Sequence, residues 1–545
     1  MFIRIISMLF IMTAAISAAP GDVAVSFPAP ATCPSGMAFD GQYIWTADFK
    51  TDSLYAVDPA TGQVVKAMES PSYRPYGLAW DGGYLWIVDA EERVILQFDT
   101  ETGVNVKTIP SPVDAPTGLT WDGSHLWLAD DNTIHKISSE DGTTIKSFKA
   151  PAGNTTDLAF DGTYLWSADR GSNRIYMIYP ATGEVIMILD APGPYAWGLT
   201  FADGKLFNSD YQSDSLYQVV VDDEELFSSN KKQRQNMNFT HEVRNYGPGT
   251  LKSLDIYLAI PLDSDHQTLV EEPRFFADVA PEHLTDKWGQ PYAAFHFKDI
   301  EAGRKARASY FAAADLYETR YFIHPEKVGT LKDVPQQFKD KFLADDAKFD
   351  LKNLVILDAV RAAVGDETNM YWKARRIYRW IIDHLYYELS GGWNVAPAVI
   401  ERGNGSCSEY TFVFISMCRV AGVPARYAGA ITVRGDRASE DDVFHRWCEI
   451  YLPPYGWIPV DPSGGDTDSP EGQANRFGYV GNSYLVTTTG AGSEYIGWNY
   501  NSGEKWESVG ICKVVSESIG EWTPADTTAE SSSLTAPGGQ YCRPR

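Results

Sequence analysis

The chain has 545 residues, 44% of them hydrophobic and 13% aromatic, with 16 Trp and 30 Tyr. That much apolar side chain excludes a mostly disordered protein, and the length calls for about three or four domains rather than one core. Acidic residues outnumber basic ones 72 to 46, a net charge of −26, and no basic patch offsets it, so no nucleic-acid partner is expected.

Residues 1–19 read as a signal peptide. Arg4 precedes a short apolar run that ends in small residues, with cleavage expected near Ala18. The run is short for a membrane span, and no other stretch approaches that length, so a secreted or periplasmic protein is expected, with no membrane insertion after cleavage. Six cysteines are too few for a disulfide scaffold.

A repeat fills residues 20–228. Five similar segments begin at Gly36, Gly77, Gly118, Asp157 and Gly198, spaced by 41, 41, 39 and 41 residues, as in GMAFDGQYIWTAD and GLAWDGGYLWIVD. Each sets two alternating runs around a turn, Asp-Gly in all five, which is a hairpin signal. Further alternating runs follow, and the internal period of two excludes helical repeats. About four strands per unit of this length predict propeller blades. Residues 22–30 align with the fourth strand of a unit, and the last unit lacks one. The N-terminal strand is therefore expected to complete a ring of five blades and remove its open edges. The repeated Trp45, Trp86, Trp127 and Trp166 read as packing between blades. The pattern resembles NHL- or YVTN-type propellers, which implies a binding module, with a protein ligand possible.

After a polar stretch at 228–236, alternation returns, and residues 235–325 predict a small antiparallel β-sandwich in which no chemistry is read. Residues 331–515 predict a mixed α+β domain. Its helix at 371–388 carries Ile377, Trp380, Ile381, His384 and Leu385 three and four apart. His384 reads as a packed or half-exposed side chain, and Trp393 as a packed loop aromatic. Residues 516–545 predict a polar tail, which Cys512 and Cys542 could tether.

The chemistry is expected between 403 and 463. A glycine-rich turn places Cys407 in the first turn of a helix, where unpaired N–H groups and the helix dipole stabilise a thiolate. Cys418 reads as core. The run VFHRWCEIYL predicts a strand bearing His445, and GWIPVDPS a second strand bearing Asp461, joined as a hairpin by Pro-Pro-Tyr-Gly. Asp461 can then orient the imidazole of His445 and support its charge. No metal site is read: His445 and Cys448 point to opposite faces of a strand, and no calcium loop is present. The acidic run at 222–225 reads as a solvated turn.

These elements together resemble the transglutaminase-like superfamily: the Gly-Ser-Cys-x-Glu turn at 405–409, AGVPARYAG at 421–429, the His-x-Trp-x-Glu strand at 445–449 and GWIPVDP at 456–462. The resemblance spans roughly 350–490, and the repeat half lies outside the family core. It implies a papain-like α+β core, a catalytic triad of Cys407, His445 and Asp461, no cofactor, and acyl transfer from protein or peptide amides. Hydrolysis is favoured over cross-linking, because water needs no second binding site. The alternative is a non-catalytic, propeller-based binding protein that uses the core as a scaffold.

Overall fold

A computed structural model of the chain describes residues 19–389, 393–433, 439–490 and 494–524. The expected leader, apart from Ala19, lies outside the described residues. So does Cys542, and with it the tether to Cys512. Among the described residues, no helix is long and apolar enough to cross a membrane.

The repeats form five four-stranded antiparallel sheets. The first runs Pro34–Phe39, Ile44–Asp48, Ser53–Val57 and Val64–Glu69. In the fifth, the N-terminal strand Val23–Pro28 pairs with Ser215–Val219 beside Lys205–Asp210 and Ala196–Ala202. The innermost strands touch in cyclic order, so Pro34–Phe39 meets both Pro75–Trp80 and Ala196–Ala202.

Local chemistry explains the repeated residues. Asp40 accepts the backbone N–H groups of Gln42 and Tyr43, which closes the turn, and its second oxygen accepts the Trp45 indole N–H at 2.8 Å. Asp81 with Trp86, Asp122 with Trp127 and Asp161 with Trp166 repeat this bond at 2.7–2.9 Å. Trp45 also shares a buried cluster with Leu78 and Ile87 of the next sheet. Each Trp therefore both locks its own hairpin and packs between sheets.

Backbones approach closely at the axis. A Cβ on Gly77 would lie 2.3 Å from the Leu119 nitrogen, and one on Gly118 would lie 2.5 Å from the Asp157 Cα, so only glycine fits these positions. Asp157 is the exception among the five equivalent residues. Its buried carboxyl accepts N–H groups from Met37, Leu119 and Leu199, strands of three other sheets. Burial pushes this carboxyl well above its ordinary value despite those bonds.

The β segment expected at 235–325 is not self-contained. Its central strand is Phe227–Ala259, which absorbs the polar stretch at 228–236. That strand pairs with Pro291–Ile300, with Lys305–Tyr321 and with Ser502–Pro524 from the far end of the described chain. Ser439–Asp441 and Tyr479–Val480 join the same nine-stranded sheet. The tail expected from 516 therefore begins as strand. Its alternation is built of Ser, Glu and Val, and the strand becomes legible only beside the edge it completes.

The mixed domain wraps helices around one buried helix, Cys407–Val420, in which every residue but Val420 is buried. Leu354–Val364, Met370–His384 and Ala396–Arg402 pack on it. A four-stranded sheet ordered Gly456–Val460, His445–Leu452, Ala425–Thr432 and Tyr484–Gly490 also packs against it, through His445–Leu452 and Ala425–Thr432. The ring docks on this domain through its fourth sheet. Strand Glu184–Asp190 is mostly buried, whereas the outer strand Val64–Glu69 is mostly exposed. Buried Arg375 reaches Glu184 at 3.3 Å and the Val185 carbonyl at 2.9 Å, and the Tyr179 and Trp372 rings lie 4.6 Å apart. Asp222 of the acidic run pairs with Lys327 across the same junction.

Candidate active site

The nucleophile turn is held from inside. The Glu409 side chain is fully buried and accepts the Ser406 N–H at 3.0 Å, the Asn394 N–H and side-chain amide at 3.1 Å each, and the Arg402 guanidinium at 3.0 Å. These bonds fasten the loop before Cys407 to the helix that Cys407 begins. Gly405 is required because a Cβ there would lie 2.9 Å from the Glu409 Cβ. Cys407 is therefore the first residue of the helix, 6% exposed, where the helix N–H groups are unpaired and the dipole is positive.

His445 opens strand His445–Leu452, and that strand pairs with Gly456–Val460 as the expected hairpin, with Cys448 opposite Val460 and Leu452 opposite Gly456. Asp461 follows directly. Its carboxylate meets His445 Nε2 at 2.9 Å and accepts the Ser463 hydroxyl at 2.8 Å and the Gly464 N–H at 2.9 Å. The two glycines after it have no room for a side chain. A Cβ on Gly464 would sit 2.4 Å from an Asp461 oxygen, and one on Gly465 would sit 1.8 Å from the Tyr378 hydroxyl. With Nε2 engaged by Asp461, the imidazole has Nδ1 left for its hydrogen bond with the Cys407 thiol. The structure thus brings all three expected residues together.

Their electrostatics are coupled. Burial alone would push the Cys407 thiol up. The hydrogen bond and charge of His445, the Tyr500 hydroxyl and the charge of Arg446 outweigh it, and the thiol lies below its ordinary value. Burial would likewise lower the His445 imidazole, but the charge and hydrogen bond of Asp461, then Cys407, carry it well above its ordinary value. Asp461, despite its burial, is held at about 2 by His445, the Gly464 N–H and Arg476. A thiolate–imidazolium pair is the state these directions favour. Cys418 and Cys448 are fully buried, burial raises both thiols well above their ordinary value, and neither lines the pocket.

Several residues here escaped the sequence reading. Tyr500 places its hydroxyl 3.6 Å from the Cys407 sulfur and 2.7 Å from the Ser408 hydroxyl. Arg446, next to His445, is fully buried among the rings of Tyr500, Tyr427 and Trp393 at 4.4, 4.6 and 5.6 Å, and it donates to the Asn499 carbonyl at 3.0 Å. Trp393, read as a loop aromatic, lines the pocket. Arg446 had a usable signal, a charge on the inward phase of a buried strand. Tyr500, far along the chain in an irregular stretch, had none. His384 is exposed and stacks on Trp380, away from the site.

Cys407 and His445 open onto a pocket of about 620 Å³, walled also by Tyr387, Tyr484 and Phe444, and by His241, Ser516 and Ser518 of the nine-stranded sheet, while Asp461 lies outside its lining. The β segment in which no chemistry was read therefore forms one side of the site. Among the described residues, no group of three or more His, Cys, Asp or Glu could hold a metal ion.

An uncharacterised protein of Haemophilus influenzae is 29% identical over 121 residues, 18% of this chain and 33% of its own length, so the chain spans about a third of that curated relative. Among solved structures, a candidate cysteine protease from Cytophaga hutchinsonii shares 16% identity over 53% of this chain and 93% of its own, with a TM-score of 0.40. The glutaminyl cyclase of Myxococcus xanthus shares 16% over 37% of this chain and 97% of its own, at 0.34. Virginiamycin B lyase from Staphylococcus aureus shares 21% over 36% of this chain and 69% of its own, at 0.26. Residues 358–462, which include Cys407, His445 and Asp461, match the family model of the transglutaminase-like superfamily, and the chain carries a transglutaminase-like domain there.

Proposed function

We propose that the protein is an exported cysteine-dependent acyl-transfer enzyme acting on protein or peptide amides, with Cys407, His445 and Asp461 as its catalytic triad. The observation that carries the reading is the Cys407 thiol at a helix mouth, lowered by an imidazole that Asp461 holds at 2.9 Å.

In this reading the Cys407 thiolate attacks the amide carbon. The carbonyl π electrons move to oxygen, and the Cys407 N–H at the open helix end donates to that oxyanion. When the oxyanion collapses, the C–N bond breaks, and imidazolium Nδ1–H protonates the departing amine, leaving a thioester and a neutral His445. Water then attacks the thioester, giving one proton to His445 as the carboxylic acid forms and the sulfur leaves as thiolate. Asp461 keeps Nε2–H engaged throughout, so the ring turns the same nitrogen to each proton. We read the five-sheet ring as a five-bladed propeller that docks a protein substrate. The buried Arg375–Glu184 tie supports a fixed position for it relative to the pocket.

The test is alkylation of Cys407 by iodoacetamide at neutral pH, followed by turnover of a peptide-amide library. Fast labelling that slows in His445→Ala, and turnover that disappears in Cys407→Ala, are expected. Labelling at the rate of an ordinary thiol, with no dependence on His445, returns the chain to a propeller-based binder with an inert core.

A further inference from the structure

The pocket wall that comes from the nine-stranded sheet carries a second hydroxyl, imidazole and carboxylate in contact, unused by the triad. His241 lies on the inward phase of strand Phe227–Ala259, on one face with Phe239 and Val243, and all three are buried. Its Nε2 lies 3.2 Å from the Glu504 carboxylate. Its Nδ1 lies 2.8 Å from the Ser518 hydroxyl and 3.1 Å from the Ser502 hydroxyl, and the two hydroxyls are 2.9 Å apart.

The two nitrogens face different chemistry. Glu504 lies below its ordinary value: burial raises it, and the bonds from His241 and Ser516 outweigh that. An ionised carboxylate only accepts, so a neutral imidazole keeps its hydrogen on Nε2 and turns the Nδ1 lone pair to the serines. Cys407, His445 and Asp461 share this polarity, with the nucleophile at Nδ1 and the carboxylate at Nε2.

A buried imidazole needs a partner for each nitrogen, and Glu504 with the buried Ser502 already supplies both. Ser518 is a third partner and the nearest. Of the three, Ser518 alone lines the pocket that holds Cys407. Its proton has a route to Nδ1 whichever way the hydroxyls point, directly or through Ser502. A hydroxyl open to a cavity, a base within reach and a carboxylate on the far side of that base are the parts of an activated nucleophile.

We infer that Ser518 is a second nucleophile of this pocket, with His241 as its base, Glu504 as the residue that positions the ring, and an acyl ester as its substrate. The inference goes beyond the Cys407 reading and stands without it. Ser518 lies on a strand and lacks the helix mouth that Cys407 has, so an ester, whose alkoxide leaves more readily than an amine, is the fitting class. The Ser518 oxygen attacks the ester carbon as its proton passes to Nδ1, and the carbonyl π electrons move to oxygen. When the oxyanion collapses, the C–O bond breaks and Nδ1–H protonates the departing alkoxide, leaving an acyl-serine and a neutral ring. Water then attacks the acyl-serine and gives a proton to Nδ1, and the ring returns that proton to the Ser518 oxygen as the carboxylic acid departs.

The experiment uses the full chain carrying Cys407→Ala, so that no thiolate in the pocket can answer for the serine. At pH 8 a biotinylated fluorophosphonate is expected to label Ser518, located by peptide mass spectrometry, with fluoride leaving and the serine proton passing to His241. Labelling is expected to disappear in Ser518→Ala. The Ser518-dependent hydrolysis of p-nitrophenyl acetate is expected to fall by about a hundredfold or more in His241→Gln, the usual worth of a general base. In Glu504→Gln it is expected to fall by about tenfold or more, in kcat with KM unchanged. Glu504 is partly exposed, so this variant decides if His241→Gln fails to fold by circular dichroism. An unlabelled Ser518, or a kcat unchanged in Glu504→Gln, overturns the inference. Amide turnover that needs Cys407 without labelling of Ser518 refutes the second nucleophile alone. Labelling of Ser518 without any Cys407-dependent turnover supports it and refutes the first.

Discussion

Replacing Asp461 with Asn removes one charge while keeping the shape of the loop. The Asn carbonyl oxygen can still accept the Gly464 N–H, now 2.9 Å from Asp461, so the loop stays anchored. What is lost is a carboxylate 2.9 Å from His445 Nε2. A hydrogen bond to a charged group is worth about 1.5–3 kcal/mol, and about 1.4 kcal/mol is one pH unit, so the imidazolium loses roughly one to two units of support. The thiolate–imidazolium pair then shifts toward neutral thiol and neutral imidazole by the same factor, roughly tenfold to a hundredfold. The assay is the pH profile of Cys407 alkylation. In the wild type the thiolate is expected from the depressed Cys407 value upward, so alkylation is already fast below the ordinary thiol range. In Asp461→Asn the neutral-pH rate falls by that factor, and the profile rises only as the pH approaches the ordinary thiol value. The two titrations belong to the pair rather than to either residue, so both steps of the profile move together. An unchanged profile in Asp461→Asn refutes the idea that this carboxylate supports the charge of His445.

The same carboxylate predicts part of the acid limb of stability. Its folded value of about 2 lies below the ordinary one of about 3.9, so its contribution is present above the ordinary value and is lost as the pH falls toward 2; Asp461→Asn flattens that part of an acid-unfolding curve. Asp157→Ala leaves three buried N–H groups of other sheets without their acceptor, at about 1–3 kcal/mol each before relaxation, and a fall in thermal midpoint with weakened ring closure is expected by calorimetry. Arg375→Met strands the largely buried Glu184, a cost of about 3–5 kcal/mol, and is expected to split a shared unfolding transition into separate ring and core transitions. Gly464→Ala places a Cβ within 2.4 Å of an Asp461 oxygen, so turnover and the neutral-pH alkylation rate are both expected to fall while the fold persists by circular dichroism.

Much of the architecture was legible because its causes are local. The Asp-Gly turns, the indole five residues after four of the five turn aspartates and the strand alternation all act within a dozen residues, and the five sheets formed where the repeats stand. The nucleophile turn and the His445–Asp461 hairpin are local in the same sense: a helix start, a strand pair and a short turn each carry their own signal. The nine-stranded sheet is the counterexample. Its strand Ser502–Pro524 alternates small polar and apolar residues, of which those from 516 read as a tail, and it becomes a strand only because Phe227–Ala259 offers an open edge more than two hundred residues away.

The order of residues along the chain thus determined the repeat, the candidate nucleophile and the base and acid that face it, since hydrogen bonding and helix or strand period act between near neighbours. Folding in three dimensions alone decided which distant groups share the pocket: Tyr500 against the thiol, Arg446 within its ring of aromatics, and His241 with its serines on the opposite wall. No periodicity encodes such meetings, because they arise where separate elements pack and a buried polar group must find its partner across the fold.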